Sequence, residues 1–236
     1  SGNVGSLDMV AALEWVRDNI ANFGGDPGNI TIMGQSGGGA KVCVVAAMPK
    51  AKGLFHKAVP LSGSTVKAMD QTASQKLGEY ILKEAGLNAS EVDKLQEMPW
   101  KDYILLANKA AQKFAAENAG TGVRGGFSPV ADGTNIPKDQ FFADASGLSS
   151  DVPMMISTTF HEWGMARTMP EMELITREKA IDMLKERAGM GGGLGDKAAA
   201  VYDAYAKIYP TAKPIEVMTL VSSNRKGAIE TANAKA

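Results

Sequence analysis

The chain of 236 residues has one cysteine, Cys43, and two histidines, His56 and His161. One cysteine excludes an internal disulfide. It does not fix a compartment, so localisation stays open. No His, Cys, Asp and Glu residues fall at metal-ligand spacing, and no metal is expected. Net charge is almost absent at −1, which removes the electrostatic footprint of a nucleic-acid or anionic-membrane binder. No apolar run reaches the roughly 18 residues that a membrane span needs. Ser1-Gly2-Asn3-Val4-Gly5 is neither basic nor apolar, so no signal peptide is read there. An initial Met is also missing, and a helix pattern begins almost at once. The chain reads as one that starts in mid-domain.

What is present is ordinary for a globular protein, with 44% hydrophobic and 22% charged residues. The length suffices for one large domain with its own core. Met9, Val10, Ala12, Leu13, Val16 and Ile20 recur at helical spacing and predict a helix over about 7–21, with Asp8 at its N-terminal end. A turn cluster follows at Gly24-Gly25-Asp26-Pro27-Gly28-Asn29. Ile30-Thr31-Ile32-Met33 is short, β-branched and apolar, as a buried strand is. Residues 40–48 are small and apolar and suit a buried helix, in which Cys43 is a small hydrophobe. Ala58-Val59-Pro60-Leu61-Ser62 predicts a second strand, weakened by Pro60, which cannot donate to a ladder.

From about 70 to 118 the pattern is helical, with Ser90 as an N-cap. Residues 126–136 read as strand and turn, and 152–158 as a buried strand. Helices are expected over 176–188, 196–208 and roughly 215–235. There is no internal repeat. The order of strand, helix, strand, helices and strand is that of an α/β fold with a helical insertion.

Between the first strand and the buried helix stands Gly34-Gln35-Ser36-Gly37-Gly38. A lone G-x-S-x-G is weak, but here a strand precedes it and a helix follows. Such a turn projects the serine Oγ above a sheet and strains the serine backbone. Residues two before and two after it crowd together, so glycine is expected to be needed at both Gly34 and Gly38. The helix start points unpaired N–H groups at the serine, and the Gly37 N–H can hold a developing oxyanion. Two phosphate-loop readings fail. Gly34 and Gly39 are spaced for one, but Ala40 stands where lysine belongs. Gly191-Gly192-Gly193-Leu194-Gly195 is followed by Asp196 and preceded by a helix, so it reads as a flexible loop.

Asn3-Val4-Gly5, Asp8, Ala12-Leu13-Glu14-Trp15-Val16, Asn19-Ile20, Phe23-Gly24-Gly25-Asp26-Pro27, Asn29-Ile30-Thr31 and Gly34-Gln35-Ser36 together resemble type-B, cholinesterase-like carboxylesterases. Gly53-Leu54-Phe55-His56-Lys57-Ala58, Ser62-Gly63-Ser64, Asp132-Gly133 with Ile136-Pro137, and 152–162 continue the likeness, which thins at 70–120 and 165–215. The resemblance implies an α/β-hydrolase fold and a serine carboxylic-ester hydrolase acting through an acyl-enzyme on Ser36, on a small-molecule ester and without a cofactor. It implies Glu162 as the acid of a Ser-Glu-His triad, which would hold a histidine in its working tautomer. His161 and Trp163 flank Glu162 where the family commonly has Asp-Glu-Gly. Ser62 resembles a family serine that supports the acid; a plain turn serine is the other reading.

The same resemblance implies that residues 1–236 are a partial catalytic domain, with about 70–120 and 165–215 as helical insertions. The family's early strands with an oxyanion loop, and a last strand followed by the histidine, would lie outside them. His56 reads as a boundary residue. His161 is a poor surrogate base, because adjacent side chains in an extended segment point apart. The isolated chain is then expected to turn over esters poorly, to need the missing segments, and to leave apolar surface uncovered. Two rival readings are a non-catalytic adhesion module of cholinesterase type and an inactive fragment. Met154, Met155, Met165, Met169 and Met172 read as core, with an adaptable acyl or alcohol pocket as the alternative.

Overall fold

A computed structural model describes residues 2–118, 126–145, 147–162, 169–186, 193–222 and 225–236. The helices are α1 (Val4–Asn19), α2 (Gly37–Ala46), α3 (Gln71–Ala85), α4 (Lys94–Glu97), α5 (Trp100–Glu117), α6 (Phe141–Asp144), α7 (Arg177–Glu186), α8 (Ala198–Ile208), α9 (Pro214–Val221) and α10 (Arg225–Lys235). The strands are β1 (Thr31–Gln35), β2 (Lys57–Leu61), β3 (Met69–Asp70) and β4 (Val130–Ala131). These elements fall into two compact units. One comprises Ser1–Ile30, Val44–His56 and Lys67–Asp151; the other comprises Thr31–Cys43, Lys57–Val66 and Val152–Ala236.

In the first unit α1 starts three residues earlier than its apolar spacing predicts. Asn3 is the cap, so Asp8 sits in the second turn, away from the unpaired N–H groups. The last turn tightens into a 3₁₀ segment at Ile20–Phe23, closed by Gly24 at φ +80°. α3 and α5 pack through Leu77, Ile81, Ala107, Ala110 and Phe114. Tyr80 meets the Phe114 ring edge-on at 5.4 Å, while its hydroxyl donates to Glu117. Asp70 caps α3 by accepting from the Ala73 N–H at 2.9 Å. The predicted cap at Ser90 is displaced by two residues. Asn88 is extended, accepts from the Ser90 N–H at 2.9 Å, and shares a capping box with Glu91.

A polar knot ties the start of this unit to its far end. The Asn3 side chain is buried and accepts from the Val130 N–H at 2.8 Å. Its amide donates to the Val130 carbonyl at 2.8 Å and to Asp132 at 2.9 Å. The Asp132 carboxylate also takes the N–H groups of Thr134, Asn135 and Ile136 and the Asn135 side-chain amide. Burial alone would push this carboxyl up. The Asn135 side chain and the three backbone N–H groups outweigh it and hold the group well below the usual carboxylate range. A depressed folded value gives stability that is full above the unfolded value, about 3.9, and is lost as pH falls through the folded one. Asp132→Ala is therefore expected to cost about 2–3 kcal/mol in urea unfolding at pH 7. The difference from wild type should shrink as pH falls from about 5 toward 2. An equal gap at pH 7 and pH 2 would refute the ionic basis of the knot.

The second unit is built on parallel strands. β1 and β2 pair from Thr31 with Lys57 to Gln35 with Leu61. On the other side of β2 runs the segment 153–157, also parallel. The Ala58 N–H donates to the Pro153 carbonyl at 3.1 Å, the Met155 N–H to Ala58 at 3.0 Å, the Ser157 N–H to Pro60 at 3.2 Å, and the Ser62 N–H to Ser157 at 2.8 Å. One rung is missing from this alternation: the donor at position 60, which is proline. Pro60 thus lies in the middle strand, where a proline is least expected. The cost is a ladder reduced to isolated bridges at Ala58 with Met154 and Leu61 with Ser157. The two outer segments are also less buried than their composition predicts. Met33 is 67% and Met155 64% exposed; in β1 the exposed residues alternate, so one face of the strand is uncovered among the described residues.

In the same unit α7, α8 and α9 share a core of Ala180, Ile181, Leu184, Ala198, Tyr202, Ile215, Val217 and Met218, joined by Met172. The Leu194 N–H donates to the Leu184 carbonyl of α7 at 2.8 Å. A Cβ on Gly193 would lie 2.0 Å from the Lys185 carbonyl oxygen, so only glycine fits there. Gly193 and Leu194 are thus packed on the last described turn of α7; Gly191 and Gly192 lie outside the described residues. The region expected as one helix over 215–235 carries two, α9 and α10.

Candidate active site

The junction of β1 and α2 carries the most constrained backbone in the second unit. Ser36 has φ +55° and Ser62 has φ +50°, and they are the only two non-glycine residues with positive φ among the described residues. That region costs an L-residue roughly 1–2 kcal/mol, so it persists only where its surroundings enforce it. The Ser36 N–H donates to the Leu61 carbonyl at 2.8 Å, and the Ser36 carbonyl accepts from the Ala40 N–H at 3.1 Å. The serine is held from β2 on one side and by the first turn of α2 on the other.

The glycines around it do different work. A Cβ on Gly34 would lie 2.4 Å from the Gly38 carbonyl carbon and 2.5 Å from its oxygen. A Cβ on Gly38 would meet nothing within 4 Å. The expectation that both positions demand glycine is thus corrected: the crowding is real, but only Gly34 points into it. A third glycine carries a demand that spacing does not reveal. A Cβ on Gly63 would lie 1.8 Å from the Ser36 carbonyl oxygen. The signal was available as a Ser-Gly pair ending each of two neighbouring strands, Ser36-Gly37 and Ser62-Gly63.

α2 begins at Gly37, so the N–H groups of its first turn have no intrahelical partner. They and the helix dipole favour negative charge beside Ser36. The Ser36 side chain is exposed at the strand end. Ser62 is buried, with its N–H on the Ser157 carbonyl. Cys43, fully buried in α2, has a thiol pushed up by burial, with backbone hydrogen bonding opposing the shift.

Glu162 follows the third parallel segment. Its Oε1 accepts from the Thr159 N–H at 2.8 Å, which closes a short turn. Ser36, Ser62 and Glu162 therefore stand beyond the carboxyl ends of three neighbouring parallel segments, where open α/β sheets bind ligands. Strands lie about 4.8 Å apart, so the two outer ends are separated by about 10 Å. An imidazole making two hydrogen bonds of about 2.8 Å spans a gap of that order.

Each histidine of the chain has a partner within its own unit. In the first unit His56 is bound structurally: its Nδ1 accepts from the Ile30 N–H at 3.1 Å, and its own N–H donates to the Ile30 carbonyl at 2.8 Å. In the second unit His161 Nδ1 lies 2.8 Å from Thr219 Oγ1. The methionines separate by environment. Met172 is core, Met155 and Met169 are exposed, and Met165 lies outside the described residues, as does Trp163. Among the described residues no group of three or more His, Cys, Asp or Glu side chains could hold a metal ion. No helix among them is long and apolar enough to cross a membrane.

The family model described as the carboxylesterase family matches residues 1–190. A para-nitrobenzyl esterase of Bacillus subtilis (strain 168) is 35% identical over 202 residues, which cover 86% of this chain and 40% of that protein. Carboxylesterase 1F of Mus musculus is 31% identical over 217 residues, covering 87% of this chain and 39% of that one. A solved thermophilic PNB esterase superposes with a TM-score of 0.68 at 30% identity, over 99% of this chain and 45% of its own. The chain spans about 40% of the length of the curated relatives it matches. The α/β-hydrolase fold is common to it and to these neighbours.

Proposed function

We propose, for a chain that belongs to the carboxylesterase family, that it carries the nucleophile and the acid of a serine carboxylic-ester hydrolase. Ser36 Oγ attacks the ester carbonyl carbon while a histidine takes its proton. The Gly37 N–H holds the resulting oxyanion. The tetrahedral centre then collapses, and the alcohol leaves with the proton from the histidine. Water attacks the acyl-Ser36 ester by the same route and releases the acid. Glu162 orients the histidine and stabilises its charge. Ser62 supports the acid's side of the site. The observation that carries this reading is the left-handed Ser36, enforced by Leu61 and Gly63 at the start of α2.

The base is the one member without a candidate in 1–236. His56 has its Nδ1 committed to the Ile30 amide, and His161 is committed to Thr219. On this reading the histidine is supplied by a segment beyond these residues. A fluorophosphonate probe tests this on residues 1–236 and on the complete reading frame that carries them. Strong labelling of the complete frame, weak labelling of 1–236 and none of either Ser36→Ala form are expected. Labelling of neither wild-type protein would favour a non-catalytic binding module. Rapid labelling of 1–236 would place the base within it.

A further inference from the structure

We propose that His161 is a positioning residue: anchored on Thr219, its imidazole holds the 159–162 turn and so fixes the direction of the Glu162 carboxylate. This rests on the reading of Glu162 as the acid. Thr159, Phe160 and His161 are exposed, and among the described residues the turn is closed from within by the bond from the Thr159 N–H to Glu162 Oε1. Its two tip residues, Phe160 and His161, are instead gripped from outside. Phe160 meets the His161 ring edge-on at 4.8 Å and the Tyr209 ring edge-on at 5.8 Å. The Arg225 guanidinium stands over Phe160 at 5.5 Å. His161 reaches the buried Thr219 of α9.

The proton count at Thr219 fixes the roles in that bond. Its hydroxyl has one proton, and this goes to the Glu216 carbonyl at 2.8 Å. Thr219 Oγ1 can then only accept, so His161 Nδ1 carries the proton and donates. In the neutral ring Nε2 keeps the lone pair, but the ring itself is tied to α9. The His161 ring is tied to α9 by this bond, whereas the Glu162 carboxylate is turned back onto the Thr159 N–H. The imidazole is therefore placed to brace the turn that presents Glu162, while the histidine that Glu162 orients is a different one.

Hydrogen exchange at the Thr159 amide reads this bracing on residues 1–236 without any need for catalysis. His161→Ala and Thr219→Val should each speed exchange about tenfold, the scale of one net hydrogen bond. The double variant should be no faster than either single one. His161→Asn should keep most of the protection, because its side-chain amide donates from nearly the place of the Nδ1–H. Unchanged exchange in His161→Ala would overturn the inference, whatever the esterase activity. In the complete reading frame His161→Ala should lower kcat by about 10–100-fold with KM nearly unchanged, as a misaligned site does. His161→Asn should recover most of that and keep the acid limb of the pH–rate profile. Should His161→Asn be as inactive as Ser36→Ala, His161 is itself the base and the inference fails. Should the wild type show no Ser36-dependent hydrolysis, the proposed function fails, and the exchange rates still decide the bracing.

Discussion

Ser36→Ala is expected to lower kcat for p-nitrophenyl acetate by about 10⁴–10⁶-fold in the complete reading frame carrying residues 1–236, with the fold intact. The loss is large because the proposed acyl-enzyme forms on Ser36. What remains is the helix start and the bound geometry, which polarise the ester without attacking it. The same position separates chemistry from strain. Alanine at φ +55° keeps the backbone penalty, whereas glycine does not. Ser36→Gly should therefore be about 1 kcal/mol more stable than Ser36→Ala, while equally inactive. Melting and urea unfolding of the pair check this. Equal stabilities would mean that the left-handed serine is not strained, and residual Ser36-independent turnover above a hundredth of wild type would move the nucleophile elsewhere.

Gly63→Ala carries the second large effect, and it acts on folding. The added methyl would sit 1.8 Å from the Ser36 carbonyl oxygen, on backbone atoms that cannot rotate aside. Either β2's end or the elbow must move. Both are pinned, because the Ser36 N–H already bonds the Leu61 carbonyl and the Ser62 N–H bonds Ser157. Overpacking of this kind costs about 3 kcal/mol or more. Gly34→Ala, with its methyl 2.4 Å from the Gly38 carbonyl carbon, should behave alike. Gly38→Ala is the control. It points into open space and lies in a helix, where alanine is preferred by up to about 1 kcal/mol. The expected ranking in urea unfolding is Gly38→Ala near or above wild type, with Gly34→Ala and Gly63→Ala well below. A Gly63→Ala protein as stable as wild type would show that β2 and the elbow are not in this contact.

Much of the arrangement was legible from residue types. β-branched residues before Ser36 and small apolar ones after it are enough to read a strand, a turn and a buried helix. Gly34 announces the tight approach at the elbow, since only glycine survives beside a crossing backbone. The helical character of about 70–118 follows from residue pattern, because amphipathic spacing is local information; α3 and α5 carry it. Caps were less legible. Asn88 and Ser90 are both good caps, and only the extended backbone at Asn88 decides between them.

Long-range pairing is what the chain could not state by itself. Nothing near Asn3 says that its amide will meet Asp132, a partner 129 residues away. Nothing near Pro60 says that its strand will be the middle one, or that its missing N–H will thin the ladder to 153–157. His161 reads locally as a neighbour of Glu162, yet its ring is claimed by Thr219 of α9, 58 residues on.

Sequence by itself determined the chemistry on offer at the elbow: a serine, a glycine behind it for the close approach, and a helix start ahead. Those depend on side-chain type and on steric limits within a few residues. Tertiary structure alone decided that Gly63 guards Ser36, that Gly38 does not need to be glycine, and that the His161 ring is tied to Thr219. Each of those depends on which backbone passes within a few ångströms of which, and that is set only when strands pair.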